Sequence, residues 1–236
     1  MSQPTEPVRA LVVAAHPDDP EFGCGGTVAT WVDQGIAVYY LLCTCGDKGT
    51  SDPEMTPERL MALRMAEQRA AAAVLGVREV FFLDFPDGEL QPDLRLREAI
   101  VRMIRTLRPQ IVATHDPATL YSESFINHPD HRAVGQATLD AIYPTARDRL
   151  NFPEHERAGL QPHRVREVYL WGSQHPNTWV DISRTLERKI AALRCHRTQI
   201  RNPDELATRL RERARQTGQS GGLELAEAFW KITLQR

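Results

Sequence analysis

The sequence has no apolar run that approaches the roughly 18 residues of a membrane span, which sets aside a membrane-spanning role. Its first ten residues, MSQPTEPVRA, lack the basic-then-apolar build of a secretory leader, so the cytoplasm is the expected compartment. Cysteine is scarce: Cys24, Cys43, Cys45 and Cys195 form no C-x-x-C pair. A reducing compartment keeps them as thiols. Cys43 and Cys45 would share one face of a strand, yet all four read more naturally as small core hydrophobes than as metal ligands. No surplus of charge exists either, with 29 Lys and Arg against 31 Asp and Glu. Such a balance offers no global field to nucleic acid or to an anionic membrane. Arginines gather between Arg184 and Arg215, but interleaved acids make that stretch a solvated helical face. Repeats and low-complexity segments are absent as well.

What the chain does have is an ordinary globular balance, 42% hydrophobic and 25% charged over 236 residues, enough for one substantial α/β domain. VRALVVAA, IAVYYLLCT, REVFFLDF and IVATHD read as four strands. Between them lie a helix near Gly25–Gln34 behind a glycine-rich turn, a long helix from Thr56 to Leu75, and a third from Leu94 to Leu107. Continuous apolar strands alternating with helices predict a Rossmann-like, mostly parallel sheet with helices on both faces. After Asn151 the pattern loosens. REVYLWG and TWVDIS suggest two more strands, Arg184–Arg197 and Pro203–Arg215 two helices, and TGQSGG a flexible loop before LELAEAFWKI. Residues 1–236 are therefore expected to form a single domain, with 151–236 decorating the same sheet.

In open α/β sheets, ligands bind beyond the carboxyl ends of the strands. The first strand ends in AHPDDPEFGCGG, which crowds His16, Asp18 and Asp19 into four positions. The fourth ends in THDP, with His115 and Asp116, and NHPDHR (127–132) follows at the start of another helix. His and Asp suit a divalent transition metal, and a catalytic zinc site keeps one position open. Together HPDD and HPDH supply three ligands and leave groups for acid–base work. Alone, each motif would be a set of caps and turn bonds; two at one sheet edge favour a site. GCGGT does not satisfy G-x-G-x-x-G, and carboxylates in front of it would repel a pyrophosphate, so NAD binding is not expected.

AHPDDPEFGCGGTVA followed by NHPDHRAVG resembles the PIG-L/LmbE-like family of zinc-dependent N-deacetylases. RMAEQRAAAAVLGV, LDFPDGEL, THDP, KIAALRCHRTQ and AEAFWKI are similar to the family too, so the likeness runs from about Val8 to Ile232. The resemblance implies an LmbE-like deacetylase fold and hydrolysis of the acetamide of an N-acetylglucosamine-type sugar or conjugate. It implies one Zn²⁺ per chain held by His16, Asp19 and His131, with Fe²⁺ or Co²⁺ as substitutes. It makes Asp18 the general base, His128 the group that meets the oxyanion or the leaving amine, and Asp130 the residue that orients a histidine. A homo-oligomer is in keeping with the family. One departure stands out: the common motif has Glu directly after the two aspartates, whereas here Pro20 intervenes and the acid is Glu21, to which no catalytic role is given.

Arg64 matches a family arginine that contacts substrate; the plain alternative is a surface arginine paired with Glu67. Asp87 could bind a sugar hydroxyl, although Pro-Asp-Gly is also an ordinary turn. Lys48 belongs to a rim loop, and His196 reads as a helix-surface histidine. Trp171, Trp179 and Trp230 read as core before they read as a sugar platform. Two other functions stay open: an amidohydrolase acting on a non-sugar N-acyl compound, and a non-catalytic metal- or sugar-binding protein.

Overall fold

The computed structural model describes residues 7–235, so most of the stretch read for a leader (residues 1–6) lies outside the described residues. Seven strands form one sheet: β1 (Arg9–Ala14), β2 (Ala37–Thr44), β3 (Glu79–Phe85), β4 (Ile111–His115), β5 (Glu167–Trp171), β6 (Thr178–Asp181) and β7 (Ala226–Thr233). Their order is β3-β2-β1-β4-β5-β7-β6. Strands β1 to β5 run parallel, and β7 is antiparallel to both β5 and β6. The sheet is apolar on both sides. Leu11, Val13 and Val112 pack with Ile100 and Val134 on one face, and Ala10, Val12 and Val38 pack with Val28 and Ala72 on the other. That two-sided burial is why the central strands read as unbroken apolar runs.

The sheet grows one way from β1 to β2 and β3, and the other way from β1 to β4 and β5. Between the carboxyl ends of β1 and β4, adjacent loops therefore part and leave a crevice. The helices are α1 (Asp19–Asp33), α2 (Pro57–Leu75), α3 (Leu94–Leu107), α4 (Pro129–Asp140), α5 (Pro153–Arg157), α6 (Leu186–Leu193) and α7 (Pro203–Ser220). Helix α2 begins as expected, with the Thr56 side chain accepting from Arg59 N, and ends at Gly76 in the left-handed region, φ 84°. No helix among the described residues is long and apolar enough to cross a membrane.

The first helix differs from the sequence reading. It starts at Asp19 rather than near Gly25, and the glycines lie inside it. Their purpose is close packing: a Cβ on Gly23 would stand 2.7 Å from the Trp171 ring, and one on Gly26 would stand 2.7 Å from Ile182 Cγ2. The helix breaks at Cys24 (φ −148°, ψ 20°). A buried ion pair mends the break. Glu227 accepts from Gly26 N and Thr27 N at 2.9 and 2.7 Å, while Lys189 Nζ donates to Phe22 O and to Glu227, at 2.9 and 2.6 Å. The C-terminal region also departs from expectation. Thr217–Ser220 continue α7 instead of opening a loop, and AEAFWKIT is the strand β7. The arginine-rich face is solvated, with Arg211 on Glu187 and Arg194 on Asp204.

Candidate metal centre and active site

The chain leaves β1 buried and turns at once. His16 N donates to Asp19 Oδ2 at 2.8 Å, so the side chain of Asp19 folds back over the turn. Asp18, between them, sits at φ 91°, a left-handed conformation that a non-glycine residue adopts only under constraint. Its amide donates to Gln68 Oε1 at 2.8 Å, and Arg64 Nη2 lies 3.4 Å from its carboxylate. From the other side of the crevice come His115 at the end of β4, His128 as N-cap of α4, and Asp130 and His131 in its first turn.

Asp19 is the hub. Its Oδ1 lies 3.1 Å from His131 Nε2, and its Oδ2 lies 3.4 Å from His16 Nδ1 and 3.3 Å from His115 Nε2. Each of these separations is close to the roughly 3.3 Å between two donors of a tetrahedral Zn²⁺ bound at about 2.0–2.1 Å, although His131 and His16 approach different oxygens of Asp19. His16, His128 and His131 also offer nitrogens within 4.8 Å of one another, as do Asp19, His115 and His131. The cluster can hold a metal ion.

Hydrogen-bond partners sort the four imidazoles. His131 Nδ1 lies 3.1 Å from Asn127 Oδ1, whose amide is oriented by Nδ2 donating to Thr119 O at 2.7 Å. An amide oxygen only accepts, so Nδ1 carries the proton and Nε2 presents a lone pair to the site. His16 Nε2 faces Asp130 and Asp87, each at 3.1 Å, and thus carries a proton, leaving Nδ1 for a metal. A carboxylate on the far nitrogen is the usual support of a ligating histidine. His128 is turned the other way. Its Nδ1 accepts from Asp130 N at 3.1 Å, so the proton of the neutral ring is on Nε2, free to be donated. His115 likewise accepts at Nδ1, from Trp171 Nε1 at 3.1 Å.

The electrostatics favour a cation. Burial opposes charge on His16, yet hydrogen bonds with Asp130, Asp19 and Asp87 push its pKa up to about 12. Burial would raise Asp87, but His16 and the Lys48 amide hold it down at about 2. Asp19, buried among His131 and His115, is held well below the usual carboxylate range. Asp18 goes the other way: burial and the Asp19 carboxylate raise it to about 7 against Arg64 and His196. Burial, with His16 beside it, lowers His128. Two neighbouring carboxylates thus have opposite protonation tendencies, as acid–base chemistry requires.

The site opens into a cavity of about 560 Å³ that runs from Asp19 and His131 past Trp171 and Ile182 to Leu210 and Thr217 on α7. That is ample for a sugar with a substituent. Several residues stand elsewhere than expected. Arg64 is only 4% exposed and donates to Pro17 O and Gly46 O, at 2.6 and 3.0 Å. It braces the HPDD turn from behind, neither on the cavity wall nor paired with Glu67, which instead holds Thr198. Asp87 is engaged with His16 and the Lys48 amide. Lys48 is exposed and paired with Glu89. His196 is no surface histidine: it is fully buried, with Nε2 3.1 Å from Glu21, and Glu21 also accepts from Gln68 Nε2 at 2.9 Å. Burial would discharge His196, but Glu21 keeps its pKa above the ordinary value. Of the three tryptophans only Trp171 lines the cavity. Two further residues shape the site. His115 sits at the carboxyl end of a strand beside the crevice, and Asn127 directly precedes HPDH.

Residues 11–142 match the family described as GlcNAc-PI de-N-acetylase (PIG-L). The chain belongs to this family. The PIG-L match spans β1 to α4, hence both His/Asp motifs. Among relatives, the chain is 38% identical to a diacetylchitobiose deacetylase of Thermococcus kodakarensis, over 81% of this chain and 70% of that one. It is 29% identical to the 1D-myo-inositol 2-acetamido-2-deoxy-alpha-D-glucopyranoside deacetylase of Actinosynnema mirum, over 83% and 82% of the two chains. In three dimensions it superposes on the N,N'-diacetylchitobiose deacetylase of Pyrococcus horikoshii with a TM-score of 0.89 at 29% identity, covering 97% of this chain and 85% of that one.

Proposed function

We propose that this PIG-L protein is a zinc-dependent hydrolase that removes the acetyl group from an N-acetylated amino sugar or its conjugate. The observation that carries the reading is the sorting of imidazoles around Asp19. His131 Nε2 faces it with a lone pair, His16 Nδ1 faces it with a proton that a metal would displace, and His128 keeps a proton to give. His16, Asp19 and His131 would hold the metal. When bound, a divalent cation there polarises the amide carbonyl and acidifies water.

The rest falls to the chain's own groups. Asp18, raised by burial and beside the ligand Asp19, takes the proton of the attacking water. His128 Nε2–H meets the charge developing on the amide oxygen or the leaving nitrogen. Asp130 accepts from His16 Nε2 and is itself fixed by Gly88 N at 2.7 Å and Leu90 N at 3.2 Å, so it orients the ligand. Products are acetate and a free amine, with one water consumed. The relatives' acetamido-sugar substrates and the size of the cavity support a sugar conjugate as substrate.

The test is amine release from a panel of N-acetylglucosamine conjugates and N-acetyl amino acids, with and without a chelator. Release from the sugars that a chelator abolishes and Zn²⁺ restores is expected. Preferential release from the amino acids, or activity indifferent to chelation, contradicts the proposal.

A further inference from the structure

Asp19, His115 and His131 present three ligand atoms within 4.8 Å of one another. This set shares Asp19 and His131 with the proposed ligands His16, Asp19 and His131. The His115 and His131 rings even stack, with centroids 4.2 Å apart and planes at 15°. A cation that took all four side chains would have no position left for a reactant, and catalytic zinc needs one. Something must keep His115 off the metal.

The placement of protons does so. An indole N–H only donates, so the 3.1 Å contact from Trp171 Nε1 fixes His115 Nδ1 as an acceptor. The neutral ring then carries its proton on Nε2, the atom that faces Asp19 Oδ2 at 3.3 Å. Ala15 N also donates to this nitrogen, at 3.4 Å, and the Nε2–H form gives up that long bond; it is the one neutral form that keeps both the indole bond and a donor toward Asp19. For His115 to ligate through Nε2, its proton would have to move to Nδ1. There it would meet the indole N–H head-on, between side chains that are 5% and 7% exposed. Two buried donors would lose their partners at once. The indole packs closely on Gly23, where a Cβ would stand 2.7 Å from its ring, and that contact holds the N–H against His115.

We propose that Trp171 locks His115 in its Nε2–H tautomer, making His115 a positioning donor to Asp19 and closing the overlapping site Asp19–His115–His131 to the metal. The proposal rests on the metal-dependent reading above.

Nitrogen-15 NMR of histidine-labelled protein, at a pH where imidazoles are neutral, reads the tautomer directly. His115 is expected to carry its proton on Nε2 in the metal-free protein and to keep it there after Zn²⁺ is added. A proton on Nδ1 in either state overturns the proposal. Trp171→Phe keeps an aromatic side chain at this position and removes the N–H together with the rest of the five-membered ring. In that variant His115 is expected to shift toward Nδ1–H, and the Co²⁺ absorption spectrum to change as His115 joins the ligands. Turnover should fall about 10- to 100-fold. An unchanged Co²⁺ spectrum in a folded Trp171→Phe protein overturns the proposal whatever the activity does. Since the tautomer is read without metal or substrate, a failure of the deacetylase assignment would appear in the amine-release panel and not in these spectra.

Discussion

The backbone amide of Asp18 donates to Gln68 Oε1 at 2.8 Å, from a residue whose φ is 91°. Gln68 in turn donates to Glu21, and Glu21 faces the buried His196. A chain of buried polar groups from α2 and the C-terminal region thus holds the strained residue proposed as the base. Gln68→Leu keeps the bulk and removes both functions. Misplacing a reacting group by an ångström can cost about a hundredfold, so kcat should fall up to about that much while metal content stays at the wild-type level. Steady-state kinetics with metal analysis checks this; an unchanged kcat would mean that the strain at Asp18 needs no support from Gln68.

Asp18→Asn tests the base itself. The amide fits the same space but cannot accept the proton. Loss of at least about a hundredfold in rate is expected, with metal and fold retained. A variant that loses its metal along with its activity would make Asp18 a ligand and Asp19 the likelier base.

The pH dependence follows from the same residue. Asp18 works only when ionised, and burial beside Asp19 raises its pKa to about 7 in the metal-free chain. A rate that depends on the carboxylate rises as pH climbs through that value and is lost below it. A cation bound next to it favours the ionised form and moves the limb downward. The acid limb of kcat/KM should therefore lie at or below about 7. Arg64 lowers the pKa of Asp18, so Arg64→Met should shift the limb upward; a downward shift would contradict this assignment of charges.

Lys189 and Glu227 close the break in α1 from the far end of the chain. Glu227→Leu leaves a buried ammonium unpaired and two helix amides without an acceptor. Breaking a buried pair costs about 3–5 kcal/mol, and urea unfolding should show a loss of that order. Adding Lys189→Met should recover part of it, because no lone charge is then buried. Additive losses in the double-mutant cycle would show that the two side chains act independently.

Much of this was legible in the sequence, for reasons of periodicity. Strands covered on both faces read as apolar runs, and the placement of ligands at strand ends brings HPDD and HPDH to one crevice. The start of α1 was obscured because glycines lower helix propensity; Pro20 in its first turn was the available signal. LELAEAFWKI is rich in helix formers, and it is pairing with β5 and β6 that makes Ala226–Thr233 a strand. His196 and Glu21 lie 175 positions apart, and His115 and Trp171 lie 56 apart. No local pattern announces such partners, so the groups that orient the site stayed hidden while its ligands did not.

Metal content of the wild type, His128→Ala and His131→Ala, measured alongside turnover, tests the central claim most directly. The two histidines share one helix start, yet Asn127 leaves His131 Nε2 a lone pair while Asp130 N leaves His128 a proton. Wild type should hold one equivalent of metal. His128→Ala should hold as much while turning over about a hundred- to a thousandfold more slowly, the usual cost of a lost transition-state donor. His131→Ala should lose both metal and activity. Equal metal loss in the two variants, or none in either, would contradict the account.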